Sequence, residues 1–267
     1  MNMNDFPLVL FTVFSQAGIG LALVSAVRRF ATPAGPADQS PGEWFAALAL
    51  LALGMVFSLF HLGDPLRAAN ALKHLATSWL SREALSAGIA MACIAASAFM
   101  AKSGSGSRLM AALTAIAGVL VLFVMGMTYS PPSFPALNNA LPFVFFCVTA
   151  LAVGASASSL FVSAERAPLV RRILAVTLIV GLVIHLVAPC VWLSGGTVMA
   201  RTGQAWLASP LFWASVALAY VIPLGVLWAK RSIPVWLPFA ILAGELLGRL
   251  VFFTQTVHTA SNLGGIY

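Results

Sequence analysis

Titratable side chains are scarce in this chain, and the few that could do chemistry fall in short strings. One string is His61-Leu62-Gly63-Asp64-Pro65-Leu66-Arg67-Ala68, and a second is Ser81-Arg82-Glu83. An imidazole accepts a proton near neutral pH, a carboxylate accepts another, and a guanidinium orients oxygen atoms. Proton-coupled oxidation of a quinol needs two proton acceptors and an orienting donor, so His61, Glu83 and Arg67 form a candidate set.

Each residue also has a structural reading. His61 can be an interfacial imidazole bonded to a backbone carbonyl. Glu83 can be a first-turn carboxylate favoured by the helix dipole, with Ser81 as the cap. Gly244-Glu245-Leu246-Leu247-Gly248-Arg249 sets opposite charges four residues apart on one helix face. Charges inside a membrane cost about 2.5–3.5 kcal/mol each at the centre, so Glu245 and Arg249 are expected to face each other or the interior. They are read either as a structural ion pair or as part of the ligand pocket or a proton path. His185, the deepest histidine, has Pro189 one turn later to free its backbone carbonyl for a local bond. A haem would need two axial ligands, for which only His61 and His185 are candidates. Cys93, Cys147 and Cys190 stand singly in apolar runs, which suits packing and gives no metal-site spacing.

The elements that must hold these residues follow from composition. The chain has 267 residues, 61% hydrophobic and 8% charged, with a mean hydropathy of +0.98. A soluble domain carries about 25% charged residues, so water cannot be the solvent of this one. Apolar runs of about 20 residues recur between short connections, each able to cross roughly 30 Å of hydrocarbon as a helix. The expectation is an all-α integral membrane protein, a single transmembrane domain over 1–267. Its eight transmembrane helices are expected near 6–27, 44–61, 84–101, 109–127, 141–163, 173–192, 211–229 and 235–255. The grammar of Gly63, Asp64 and Pro65 starts a short interfacial helix near 65–76, with Leu66, Ala69, Leu72 and Leu75 on one face.

Arg28, Arg29, Lys102, Arg108, Arg166, Arg171, Arg172, Lys230 and Arg231 lie in one set of connections, nine in all, against four on the other side: Arg67, Lys73, Arg82 and Arg201. The positive-inside rule then puts both termini in the periplasm and explains the net charge of +7 without nucleic acid. Trp44, Trp79, Trp192, Trp206 and Trp228 fall near span ends, as an aromatic belt requires. The stretch Tyr129-Ser130-Pro131-Pro132-Ser133-Phe134-Pro135 is uncharged, and its prolines favour extended backbone. It reads as a docking surface or a rigid loop.

Pro7-Leu8-Val9-Leu10-Phe11-Thr12-Val13-Phe14, the His61-to-Ala68 string, Leu80-Ser81-Arg82-Glu83 and the Gly244-to-Arg249 string occur in one order along an eight-helix chain. Together they resemble the membrane anchor subunit of dimethyl sulfoxide reductase, over nearly the full length. The resemblance implies an anchor in the bacterial inner membrane that oxidises menaquinol to menaquinone near the periplasmic face. The resemblance also implies an anchor with no haem or iron-sulfur cluster of its own. It implies that electrons pass to an iron-sulfur subunit and then to a molybdopterin catalytic subunit, both on the periplasmic side. It also associates the positions of His61 and Glu83, and with them Arg67, with quinol binding. One departure is Met125-Gly126-Met127-Thr128, where a basic residue is expected near the end of the fourth helix. On this reading the chain is an electron-transfer subunit and not a complete enzyme. A haem-containing cytochrome subunit and a transporter or channel using Glu245 and Arg249 are the alternatives, although no matching pair of interrupted helices supports the latter.

Overall fold

The computed structural model describes residues 6–31, 40–60, 72–230 and 232–260. His61 and Arg67 lie outside the described residues, as does most of the short helix expected near 65–76; its described end, 72–74, is a 3₁₀ turn. Among the described residues, eight helices are long and apolar enough to span a membrane. They are α1 (Phe6–Ala31), α2 (Pro41–Leu59), α3 (Trp79–Lys102), α4 (Arg108–Thr128), α5 (Leu141–Ser158), α6 (Ala167–Leu193), α8 (Pro210–Ala229) and α9 (Leu237–Thr254). Between α6 and α8 lies one further helix, α7 (Thr197–Ala208). Its twelve residues include Arg201, Gln204 and Gly203, too few and too polar for a span, so apolar-run reading passes over it.

Local chemistry sets the helix starts. Proline stands in the first turn of α2, α5, α6, α8 and α9, where its missing N–H costs nothing. Ser78 and Ser107 cap α3 and α4 by accepting from the backbone N–H of Ser81 and Met110, each at 3.4 Å. The cap of α3 is therefore Ser78 and not Ser81. The helix begins at Trp79, no acidic residue falls in its first turn, and Glu83 sits one turn deeper than expected. α6 starts earlier than its apolar run because Arg171 and Arg172 are helical too.

α1 is the central post, packed against α2, α4, α5 and α9. Small residues let it sit there. At Gly20 a Cβ would fall on the Ala150 carbonyl, and at Gly154 one would fall on the Gly20 backbone, so α1 and α5 cross backbone to backbone. The outward faces stay apolar: Val176, Ile179, Val183 and Val187 of α6 are exposed, as a lipid-facing surface requires.

Spans alternate in direction, so one end of the bundle gathers the start of α1, the end of α2, the start of α3 and the ends of α4 and α9. The other end gathers Arg28, Glu43, Ser158 and Arg171. There Arg28 pairs with Glu43, whose other carboxylate oxygen accepts from Ser158 at 2.7 Å. This tie pins α1, α2 and α5, and composition alone did not reveal it: Arg28 counts as a topology charge but is buried and paired.

The belt reading holds for Trp228, which is 94% exposed, and fails for Trp44, Trp192 and Trp206, which are buried in the core. A ring near a span end in sequence is buried when another helix crosses that end, as α7 does over α6.

Candidate functional site

At the Glu83 end, the connection from α4 to α5 folds back as consecutive turns rather than extended backbone. Ser130 donates to the Gly126 and Asn139 carbonyls at 2.6 and 3.1 Å. The Asn139 side chain accepts from the Leu141 N–H at 2.8 Å and donates to the Ala136 carbonyl at 3.1 Å. The Thr259 N–H donates to the Ser133 carbonyl at 2.9 Å, tying the segment after α9 to this loop. Together these elements line a half-open apolar pocket, walled by Thr128, Tyr129, Phe134, Leu137, Phe252 and Phe253 among others.

Glu83 stands beside Thr128 and Tyr129, two residues of that wall. It is 2% exposed, and apart from a weak approach of the Thr128 hydroxyl neither carboxylate oxygen has a hydrogen-bond partner. The Thr128 hydroxyl donates to the Val124 carbonyl at 3.0 Å. Burial first, and then the Glu83 carboxylate, push the Tyr129 phenol well above its ordinary value, so it keeps its proton. A carboxylate buried without partners is costly. The dipole explanation is also weakened, because Glu83 is outside the first turn. A group in this position is suited to taking a proton from a ligand.

α2 delivers the chain to this same end at Phe60. Arg82 fixes the start of α3 by donating to the Leu75 and Ala76 carbonyls at 2.9 and 2.6 Å, and its guanidinium lies 4.4 Å from the centre of the Trp79 ring.

Glu245 and Arg249 form a separate group nearer the middle of the bundle. Both are buried at 4% exposure. They are joined through Thr149: its hydroxyl donates to Glu245 at 2.7 Å and accepts from Arg249 at 3.0 Å. Arg249 also donates to Gln16 at 2.7 Å and lies 4.1 Å from the centre of the Phe146 ring. Glu245 accepts from Tyr220 at 2.7 Å. Both charges thus face the interior, linked by an intervening hydroxyl.

Tyr220 owes its position to a π-helical turn, Ala217–Val221, inside α8. The Ile222 N–H reaches back to the Ala217 carbonyl, and Pro223 follows with no N–H to give. Gly244 of α9 packs on this turn, for a Cβ there would fall against the Ala219 backbone. Gln16, Thr149 and Tyr220 went unnoticed as members of a site in the sequence; a lone polar residue in an apolar run was the one available signal. His185 bonds through Nδ1 to the Gly181 carbonyl at 2.9 Å and packs against Phe145 and Tyr220. Among the described residues, the other histidines are His74, which is exposed, and His258, which accepts from the Ala260 N–H at 2.9 Å.

A family model described as the DMSO reductase anchor subunit (DmsC) matches residues 1–254. The protein is 31% identical over 161 residues to an anaerobic dimethyl sulfoxide reductase chain of Haemophilus influenzae, covering 58% of both sequences. It is 29% identical to the YnfH chain of anaerobic dimethyl sulfoxide reductase of Escherichia coli, covering 61% of this sequence and 59% of that one. Another anaerobic dimethyl sulfoxide reductase chain of Escherichia coli is 26% identical over 94% of both. The matches thus span less than two thirds of the first two relatives and nearly all of the third.

Proposed function

Because the chain belongs to the dimethyl sulfoxide reductase anchor subunit family, we propose that it binds menaquinol at the Glu83 end of the bundle and oxidises it, handing electrons to an iron-sulfur partner. That partner serves a molybdopterin catalytic subunit. The positive-inside bias supports a periplasmic location for this end, and with it for both termini and the partners, in a bacterial inner membrane.

The observation that carries the reading is Glu83, a buried carboxylate with little beyond the Thr128 hydroxyl to satisfy it, beside an apolar pocket at a helix end. An apolar pocket with few polar groups suits a hydrophobic ring with oxygen substituents. The quinol gives up two protons and two electrons. The electron pair leaves to the iron-sulfur partner, Glu83 accepts one proton, and His61 receives or shares the other. Arg67 orients the head group or holds Asp64 and Glu83. Tyr129, which keeps its proton, is available as a donor to a ring oxygen.

The test uses the assembled complex in membranes. Replacing His61 or Glu83 with Gln should abolish quinol-dependent reduction and weaken binding of a quinol analogue. Activity from an artificial donor to the soluble partners should persist. Normal quinol turnover and normal analogue affinity in both well-assembled variants would sink the assignment.

A further inference from the structure

A second cavity lies beside the first, with Phe252 in both walls; Phe145, Thr149, His185, Trp206, Glu245 and Arg249 also line it. Its polar lining does not close on itself. Trp206 Nε1 and one terminal nitrogen of Arg249 are buried donors without a partner, and both residues are more than nine-tenths buried. His185 adds an unmatched acceptor. Its Nδ1 faces the Gly181 carbonyl at 2.9 Å, and a carbonyl only accepts, so Nδ1 carries the hydrogen and Nε2 of the neutral ring carries a lone pair. Tyr220 lies 3.4 Å from Nε2, but its single hydroxyl hydrogen goes to Glu245 at 2.7 Å. Two donors and one acceptor therefore belong to residues that line one space on the scale of a water molecule.

We propose that this cavity is a hydrated proton-acceptor site, in which a water accepts from Arg249 and Trp206 and donates to His185, and His185 Nε2 takes up one proton. Once protonated, Nε2 becomes a donor, and the Tyr220 oxygen has a lone pair free to accept from it. The relay from His185 to Tyr220 to Glu245 then closes with no change of rotamer. The groups facing His185 are Thr149 of α5, Tyr220 of α8, Glu245 and Arg249 of α9 and Trp206 of α7, with Gln16 of α1 acting through Arg249. Glu245 stabilises the added positive charge, and Arg249 opposes it.

The source of the proton rests on the quinol reading above. As the quinol becomes quinone, its electron pair goes to the iron-sulfur partner and its two protons go first to Glu83 and His61; one of these two is then handed on to Nε2 and held there until the oxidised ring leaves.

Infrared difference spectra of the purified complex, recorded across pH in ordinary and ¹⁸O-labelled water, test the site without turnover. An imidazole protonation signal should appear and be lost in His185→Gln, and an ¹⁸O-sensitive O–H band should be lost in Trp206→Phe. Tyr220→Phe removes the oxygen that accepts from the charged ring, so the imidazole protonation signal should weaken. Quinol-dependent turnover in His185→Gln should fall several-fold while analogue binding stays intact. A ring held in one protonation state wherever the complex is folded, or unchanged spectra in the variants, overturns the proposal. Absent signals with intact analogue binding sink this inference alone, whereas a titrating His185 in a complex that binds no quinol analogue sinks the quinol reading and keeps the site.

Discussion

Replacing Glu245 with Gln tests how the interior holds a cation. Arg249 is 4% exposed, and its direct partners are neutral: Gln16, Thr149 and the Phe146 ring. The negative charge that faces it is Glu245, acting across the Thr149 hydroxyl. The amide keeps the shape and still accepts from Tyr220. Thr149 can turn its hydrogen to the Phe145 carbonyl, already 3.0 Å away, so local hydrogen bonding is largely conserved. The main loss is the countercharge. Removing one member of a buried pair costs about 3–5 kcal/mol, because the other charge is stranded. Arg249→Met should cost a similar amount by stranding Glu245. The double variant loses only hydrogen bonds worth about 0.5–1.5 kcal/mol each, so it should be more stable than either single variant. Thermal and detergent unfolding of the purified chain, followed by circular dichroism, measures all three, and recovery of assembled complex from membranes gives an independent reading. If both single variants and the double variant unfold like the parent, the two groups reach water and the argument from burial is wrong.

Two further outcomes are expected. A reporter fused after Tyr267 should appear outside and reporters near Lys102 or Arg166 inside, since nine basic residues against four and an even number of spans require it; a cytoplasmic carboxyl terminus contradicts this. Gly20→Ala should cost about 1–3 kcal/mol or more by driving a methyl into the Ala150 carbonyl, measured by unfolding against Gly88→Ala, whose added methyl meets nothing within 4 Å; equal stability of the two would refute the close crossing.

The eight spans were legible because hydrocarbon thickness imposes a minimum apolar length, and each observed span contains most of its expected one. Boundaries shifted where a helix runs on past its apolar stretch, as α6 does through Arg171 and Arg172. Helix α7 was missed for the opposite reason: it crosses no membrane. Glu83, Glu245 and Arg249 stood out because charge in an apolar chain is conspicuous. Their partners did not, since Gln16, Thr149 and Tyr220 are 233, 100 and 25 positions from the groups they bond. Only packing brings them together. Glu83 shows the limit from another side, for its meaning depended on whether Ser78 or Ser81 capped α3, a difference of one turn.

The crossing of α1 on α5 separates the polar network around Thr149 from the Arg28–Glu43 tie at the opposite end. Where two backbones touch without side chains between them, there is no room for a water file between α1 and α5. Under the proposed quinol chemistry, protons shed at the Glu83 end leave by that end, on the side where the partners receive the electrons. The anchor then passes reducing equivalents without charging the membrane, and the free energy of quinol oxidation is not conserved at this step. Any yield that a cell draws from such a protein is set upstream, by the enzymes that fill the quinol pool.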